Sequence, residues 1–559
     1  VWGILMVAGI GLALDLFYLQ VIRSPALQTL ARSQQQVDRT PFVPRRPIVD
    51  RQGNVLAVDR PAYTLYAHPK LFERSPAEIA GHLAPILDRP VGELVRKLNS
   101  APSGIRLADL LSEDRVKRLQ KLEIDGLETV RSAARLYPQQ ELAAEVVGYV
   151  NMDAQGGAGV EYSHQHLLER AISPETGTPP TGENEVKSPP NRPNVFHLDD
   201  LRLQLTLDSR LQRAARIALS RQIEAFNAKR GTVMVMDARD GSLLAMVSEP
   251  SYDPNQYFEF EPGRFKNWAL TDLYEPGSTF KPINVAIALE ADAIAPESTV
   301  YDEGRIFVDG WPIENADYEY SGVRGSIDIA AVVQYSSNVG MVRVMQRLSP
   351  VVYYSWLERL GLGQVTGIDL PFEVPSQIKT QAQFTGSPVE PATTAFGQGF
   401  ALTPIQLLQL HGTLANEGKL VTPHVVRGLF DTQGQPYWQP DRSEPRSIFS
   451  ADTARETIAM MERVVEAGTG TTAQIPDYRI AGKTGTAQKA TAAGGYSDYA
   501  IVTSFVGILP AEDPRYVVLA VVDEPQGGSG AATAAPVVKS VMEALIGIAE
   551  IPPSRDRSP

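Results

Sequence analysis

Ser278 stands three residues before Lys281 in the stretch EPGSTFKP, and a hydroxyl with an amine one helical turn away is the smallest pair that can begin acyl transfer. The serine would attack a carbonyl and the lysine would take its proton. By itself the spacing decides little. S-x-x-K occurs twice, at Ser278/Lys281 and Ser376/Lys379, and a chain of this length should hold roughly two by chance. The plain alternative for Ser278 is a helix N-cap. A lysine acts as a base only when neutral, so its ordinary pKa of about 10.4 must be lowered by burial or by a second cation. The pair therefore predicts another basic residue and a relay hydroxyl in the same cleft. YSSNVG supplies Ser336 and Asn338, a hydroxyl for proton relay and an amide to hold a substrate carbonyl or the lysine; IAGKTGTAQ supplies Lys483, Thr484, Gly485 and Thr486. S-x-N and K-T-G each occur once, and the ordered set is far more specific than any member.

The elements around these residues favour the first pair. Pro-Gly before Ser278 allows a sharp entry into a helix whose apolar run, Ile283 to Leu289, would be buried, and Pro282 is tolerable only in its first turn. The free N–H groups at that end suit an oxyanion. Gly485 would let a substrate backbone approach a strand. Ser376, in EVPSQIKTQAQF, has no apolar helix behind it and reads as loop. GTVMVMDARDGSLLAMVSEP reads as two strands turning at Asp240-Gly241, and YAIVTSFVGILP and YVVLAVVDEP as two more, with a last helix from Pro536 to Ile548. Strands at both ends of a helix-rich middle predict an α/β (α+β) domain over 200–550, an antiparallel sheet flanked by helices. Upstream, 23–170 reads as a smaller α+β module with helices at PAEIAGHLAPIL and SEDRVKRLQKL and strands at Tyr63–Tyr66 and Glu145–Tyr149. Residues 171–199 carry six prolines and read as a linker, and 551–559 as a tail.

Composition removes several classes of function. The net charge of −13 over 559 residues argues against nucleic acid as a partner. With no cysteine there are no disulfides, thiolate metal sites or cysteine nucleophiles, and His164 with His166 is too small a set for a metal; no cofactor is called for. Residues 1–22 carry one charge, Asp15, and are long enough to cross a bilayer as an anchor helix. Because the chain opens on Val, a cytoplasmic stub is expected before it.

The ordered triplet resembles the signature of the serine penicillin-recognising enzymes, penicillin-binding proteins and serine β-lactamases. Taken with RRPIVDRQGNVLA, RLYP at Arg135 to Pro138, GGAGVEY, SEPSYDPNQY, FGQGFALTPIQL and SFVGILPAEDPRYVVLAVVDEP, the chain looks like a class B penicillin-binding protein, a monofunctional peptidoglycan transpeptidase, leaning to its division (FtsI) type. That resemblance implies the penicillin-recognising transpeptidase fold on an N-terminal pedestal, held by one transmembrane helix on the outer side of a bacterial inner membrane. It implies Ser278 as nucleophile, Lys281 as base, Ser336 and Lys483 as proton relay and Asn338 as orienting amide. The Ser278 and Thr486 N–H groups would form the oxyanion hole, and Thr484 and Thr486 would hold the substrate carboxylate. The implied partners are stem peptides ending in D-Ala-D-Ala, an amine acceptor, β-lactams, an FtsW-like glycosyltransferase and other division proteins. The rivals are an elongation-type transpeptidase, a carboxypeptidase or β-lactamase, and a non-catalytic β-lactam-binding scaffold; no E-x-x-x-N lies between S-x-N and K-T-G to position a deacylating water. Arg46 replaces a glycine of the first N-terminal motif, none follows RLYP, and the proline-rich segment replaces L-x-G-x-x-G, so the pedestal's contacts are the part of the pattern that departs.

Overall fold

The computed structural model describes residues 43–170, 199–490 and 495–554, with scattered positions of the N-terminal run. The expected anchor helix lies largely outside the described residues, and the proline-rich 171–198 wholly so. Two compact units divide the chain, one containing Pro61–Ala133, the other Arg45–Arg60 and everything from Ala134 on.

In the first unit the distal part of strand β1 (Val55–Ala67) pairs antiparallel with β2 (Ile105–Leu111). Helices α1 (Pro76–Leu87), α2 (Val91–Leu98) and α3 (Glu113–Gln120) pack their apolar stripes onto it, Leu83, Leu94 and Leu119 among them. Both expected helices are present. Ser75 caps α1 through the Glu78 N–H, and Ser112 caps α3 through the Arg115 N–H. Strand β3 (Leu127–Leu136) also pairs with β1.

The second unit is built on a five-stranded antiparallel sheet. Helix α4 (Ser209–Ala225) leads into strands β4 (Arg230–Asp237) and β5 (Leu243–Glu249), the expected hairpin, with Gly241 at φ +84° in its turn. A helical middle follows: α5 (Lys281–Glu290), the β6–β7 ribbon (Arg305–Val308 and Trp311–Glu314), α6 (Ile329–Gln334), α7 (Asn338–Met345), α8 (Pro404–Ala415) and α9 (Ala451–Ala467). Strands β8 (Ala481–Ala490), β9 (Tyr496–Leu509) and β10 (Tyr516–Asp523) then complete the sheet in the order β8-β9-β10-β4-β5, and α10 (Gly530–Ala549) closes the chain.

Every residue of β10 is buried, and the period of two sorts them. Val517, Leu519 and Val521 join the core that includes Leu407 and Leu408 of α8, while Val518 and Ala520 pack with Leu211 of α4 and Val538 of α10. Helices on both faces explain why this antiparallel strand reads as one apolar run. Helix α10 begins at Gly530, six residues before the expected start, and carries Pro536 in its first two turns. It is long and apolar enough to cross a membrane by composition, but Val537, Val541, Met542 and Leu545 are buried against the sheet.

One expected strand is absent. Glu145–Tyr149 opens in a helix, Ala144–Val147, whose four residues are all buried. Tertiary contacts override local preference there, because the Glu145 carboxylate is drawn to Arg216 at 2.8 Å and accepts the Ser248 N–H at 3.0 Å.

Candidate active site

Ser278 lies in a single 3-10 turn, Gly277–Phe280, that runs straight into α5 at Lys281. Pro282 is therefore in the first turn of the α-helix, the place where a missing N–H does no harm. The Ser278 side chain makes no capping bond, so the cap reading fails on geometry. The turn is held from behind. The Gly277 N–H donates to the Gly397 carbonyl at 2.9 Å, and a Cβ on Gly397, which has φ +83°, would meet the Gly277 oxygen at 2.0 Å. Only glycine lets the FGQG segment come so close.

Lys281 is fully buried, and its amine is committed to the segment between α6 and α7. Nζ donates to the Ser336 carbonyl, to Ser336 Oγ at 3.2 Å and to Asn338 Oδ1 at 2.8 Å. The sequence led us to expect that amine beside the Ser278 hydroxyl; among the described residues its bonds run to Ser336 and Asn338 instead, leaving the serine oxygen unengaged. Lys483, also fully buried, donates from Nζ to the same Ser336 Oγ at 3.0 Å and to the Thr484 carbonyl at 3.0 Å. One hydroxyl thus bridges two lysines. Ser336 sits at φ +58°, a left-handed conformation that costs a non-glycine residue on the order of 1–2 kcal/mol and that here places the hydroxyl between the amines.

Two like charges without water around them cannot both persist. Burial pushes Lys483 down to about 7, and burial together with the Lys483 charge pushes Lys281 well below the usual lysine range. Asp302 and Asp317 oppose the fall at Lys281, and Arg324 adds to it. Both amines are thus shifted toward the neutral form that a general base needs, with the Ser336 hydroxyl between them.

Lys483, Thr484, Gly485 and Thr486 all lie on β8, an edge strand of the sheet. Thr484 Oγ1 hydrogen-bonds Thr469 Oγ1 at 2.8 Å, and Thr486 Oγ1 accepts the Gly530 N–H at 3.2 Å. The role expected of Gly485, clearance for substrate, is not the one its packing shows. A Cβ there would fall 2.4 Å from Ser504 Oγ and 2.9 Å from Thr279 Cγ2, so the missing side chain lets β8 press against the nucleophile turn. The second S-x-x-K goes elsewhere: Ser376 is 5% exposed and accepts the Gly363 N–H at 2.7 Å, while Lys379 lies 3.9 Å from Glu390.

Two residues beneath the site belong to no motif in the sequence. His411 of α8, fully buried, hydrogen-bonds the Thr279 carbonyl through Nε2 at 2.8 Å, and Asn284 of α5 donates to the Thr394 and Ala395 carbonyls at 2.9 Å each. A polar residue inside an otherwise apolar helix, as in LLQLHGTLA, was the only available hint.

The chain resembles known proteins over nearly its whole length. Residues 231–543 match the penicillin-binding protein transpeptidase domain, and 41–168 match the penicillin-binding protein dimerisation domain. The peptidoglycan D,D-transpeptidase FtsI homolog of Mesostigma viride is 42% identical over 99% of this chain and 96% of its own. The corresponding protein of Chlorokybus atmophyticus is 37% identical over 99% and 96%. Among solved structures, penicillin-binding protein 3 of Mycobacterium tuberculosis, complexed with aztreonam, superposes with a TM-score of 0.69 at 26% identity, covering 92% of this chain and 98% of that one. With a transpeptidase domain over 231–543, a dimerisation domain preceding it in sequence and a relative 42% identical over nearly the whole chain, the chain belongs to the penicillin-binding protein transpeptidase family, among its class B members.

Proposed function

We propose that the chain is a peptidoglycan D,D-transpeptidase that works through an acyl-enzyme on Ser278. The observation that carries the reading is the bridge Lys281–Ser336–Lys483, which sets two buried amines of lowered basicity on one hydroxyl that can relay a proton between them. Ser278 Oγ attacks the D-Ala-D-Ala carbonyl as Lys281 takes its proton. The oxyanion is met by the N–H groups of Ser278 and Thr486. Collapse breaks the C–N bond, and the terminal D-alanine leaves with a proton passed through Ser336 from the lysine pair. Asn338 holds Lys281 in place, and Thr484 and Thr486 receive the donor's carboxylate. The amine of a second stem peptide then attacks the ester, loses a proton to the same pair and releases Ser278, leaving an amide cross-link.

A β-lactam enters as a donor mimic and stops at the ester. The naming of the relatives supports a division role; with it go an N-terminal membrane anchor, a catalytic domain outside the inner membrane and an FtsW-like partner that makes the glycan. A fluorescent penicillin should label the wild type and leave Ser278→Ala dark; equal labelling of both would end the assignment. Peptidoglycan precursor turned over to free tetrapeptide without cross-links would make it a hydrolase instead. Enrichment of a fluorescent fusion along the side wall rather than at the septum would move it to elongation.

A further inference from the structure

Asn338 accepts from Lys281 through its oxygen, and a side-chain amide can as easily present its nitrogen, which a protonated lysine cannot use as a partner. What sets the orientation lies behind it. Asn338 Nδ2 donates to the Glu314 carbonyl at 2.9 Å, at the end of β7, so Oδ1 is left to face Lys281. The next residue, Asn315, grips the same segment from the backbone side. Its Oδ1 accepts the Asn338 N–H at 2.8 Å, the Val339 N–H at 3.1 Å and Ser337 Oγ at 3.1 Å. Its Nδ2 donates to both oxygens of Asp302, at 2.8 and 2.9 Å. Three donors on one side and a carboxylate on the other allow this amide only one orientation. Asn315 is 2% exposed and Asp302 fully buried, and Asp302 is itself fixed by the Gly304 N–H at 2.8 Å with Arg324 at 3.7 Å.

We infer that Asn315, pinned by Asp302, is a positioning residue of the reaction: it clamps the start of α7 onto the end of β7, so that Asn338 offers Lys281 an oxygen and never a nitrogen. This rests on the acyl-enzyme reading above and deepens it. Both residues lie beneath the surface, so they would act through Asn338 rather than on substrate. The Asp302 carboxylate is not a spectator charge but the half of a buried amide–carboxylate pair that keeps the clamp rigid, since an unmatched buried polar group is costly.

The test is the rate of acylation by a fluorescent penicillin, resolved into non-covalent affinity and the acylation step, beside the thermal midpoint of each variant. Labelling of wild type but not Ser278→Ala establishes the acyl-enzyme independently, so a failure there is distinguishable from a failure of the clamp. Asn315→Ala should slow the acylation step at least tenfold while affinity changes less than threefold. Asn315→Asp should be slower still, because two carboxylates then face each other. The exchanged pair Asp302→Asn with Asn315→Asp restores one amide and one carboxylate with the roles reversed, and it should return the acylation step to within threefold of wild type. A folded Asn315→Ala acylating within twofold of wild type would overturn the inference. If that variant does not melt cooperatively, the exchanged pair decides: rates no better than Asn315→Asp alone overturn it, and recovery supports it.

Discussion

Lys281 and Lys483 reach the same hydroxyl, at 3.2 and 3.0 Å from Ser336 Oγ, and both are sealed from solvent. Neither amine keeps an ordinary basicity in that arrangement: burial lowers both, and the Lys483 charge lowers Lys281 further.

The acid limb of acylation reports this directly. Lys281 must be neutral to act, and burial with the Lys483 charge lowers its pKa, so acylation should persist well below the usual lysine range. Lys483→Met removes a positive neighbour; of the charges facing Lys281, Asp302, Asp317 and Arg324 remain. The pKa of Lys281 then rises, and the limb should move to higher pH. A pH profile of penicillin labelling checks the sign.

The same substitution should stabilise the fold. A lysine whose folded pKa falls from 10.5 to about 7 destabilises the native state increasingly as pH drops through that window, with the full penalty present below it. Replacing the amine by a thioether of similar length relieves that penalty. Lys483→Met should melt at least about 3 °C higher at pH 7 while losing most of its acylation.

His411 gives a second pH signature, of structure rather than chemistry. Burial lowers its pKa from 6.5 to about 4, so it is neutral in the fold and charges on unfolding in mild acid. The stability it supplies is complete above 6.5 and lost as pH falls toward 4, roughly 3 kcal/mol at one pKa unit per 1.4 kcal/mol. Denaturant midpoints at pH 7 and 4.5 should converge in His411→Gln, which keeps a donor for the Thr279 carbonyl but cannot titrate.

Gly485→Ala tests the packing of β8 on the nucleophile turn. The added methyl would crowd Ser504 Oγ and Thr279 Cγ2, and overpacking of this kind typically costs 1–3 kcal/mol. Acylation should fall more than tenfold, because the turn that moves carries Ser278. Ser376→Ala, in the other S-x-x-K, should leave labelling unchanged and cost about 1 kcal/mol for the lost hydrogen bond to Gly363.

The site was legible in the sequence wherever chemistry demands a residue type at a short spacing. Ser278 with Lys281, Ser336 with Asn338, and the Lys483 to Thr486 run all fall on short local elements, and the apolar run of α5 placed the first pair. Long-range partners left no comparable trace. Asp302, Asn315 and His411 reach the site through tertiary contacts, and their roles depend on which carbonyl or N–H the fold brings beside them. The strand misread at Glu145–Tyr149 fails for the same reason: a buried carboxylate seeking Arg216 outweighed local preference.

Strand β8 has one sheet neighbour, β9, so its outer row of backbone groups is unclaimed by any other strand among the described residues. An extended peptide laid along that row would become a sixth strand, held by the main chain it shares with every other peptide rather than by particular side chains. Such an edge reads conformation before composition. It would favour a donor held straight, with its reactive carbonyl in register with Ser278, and it would leave discrimination between donors to the few positions where a side chain or a carboxylate meets Thr484 and Thr486.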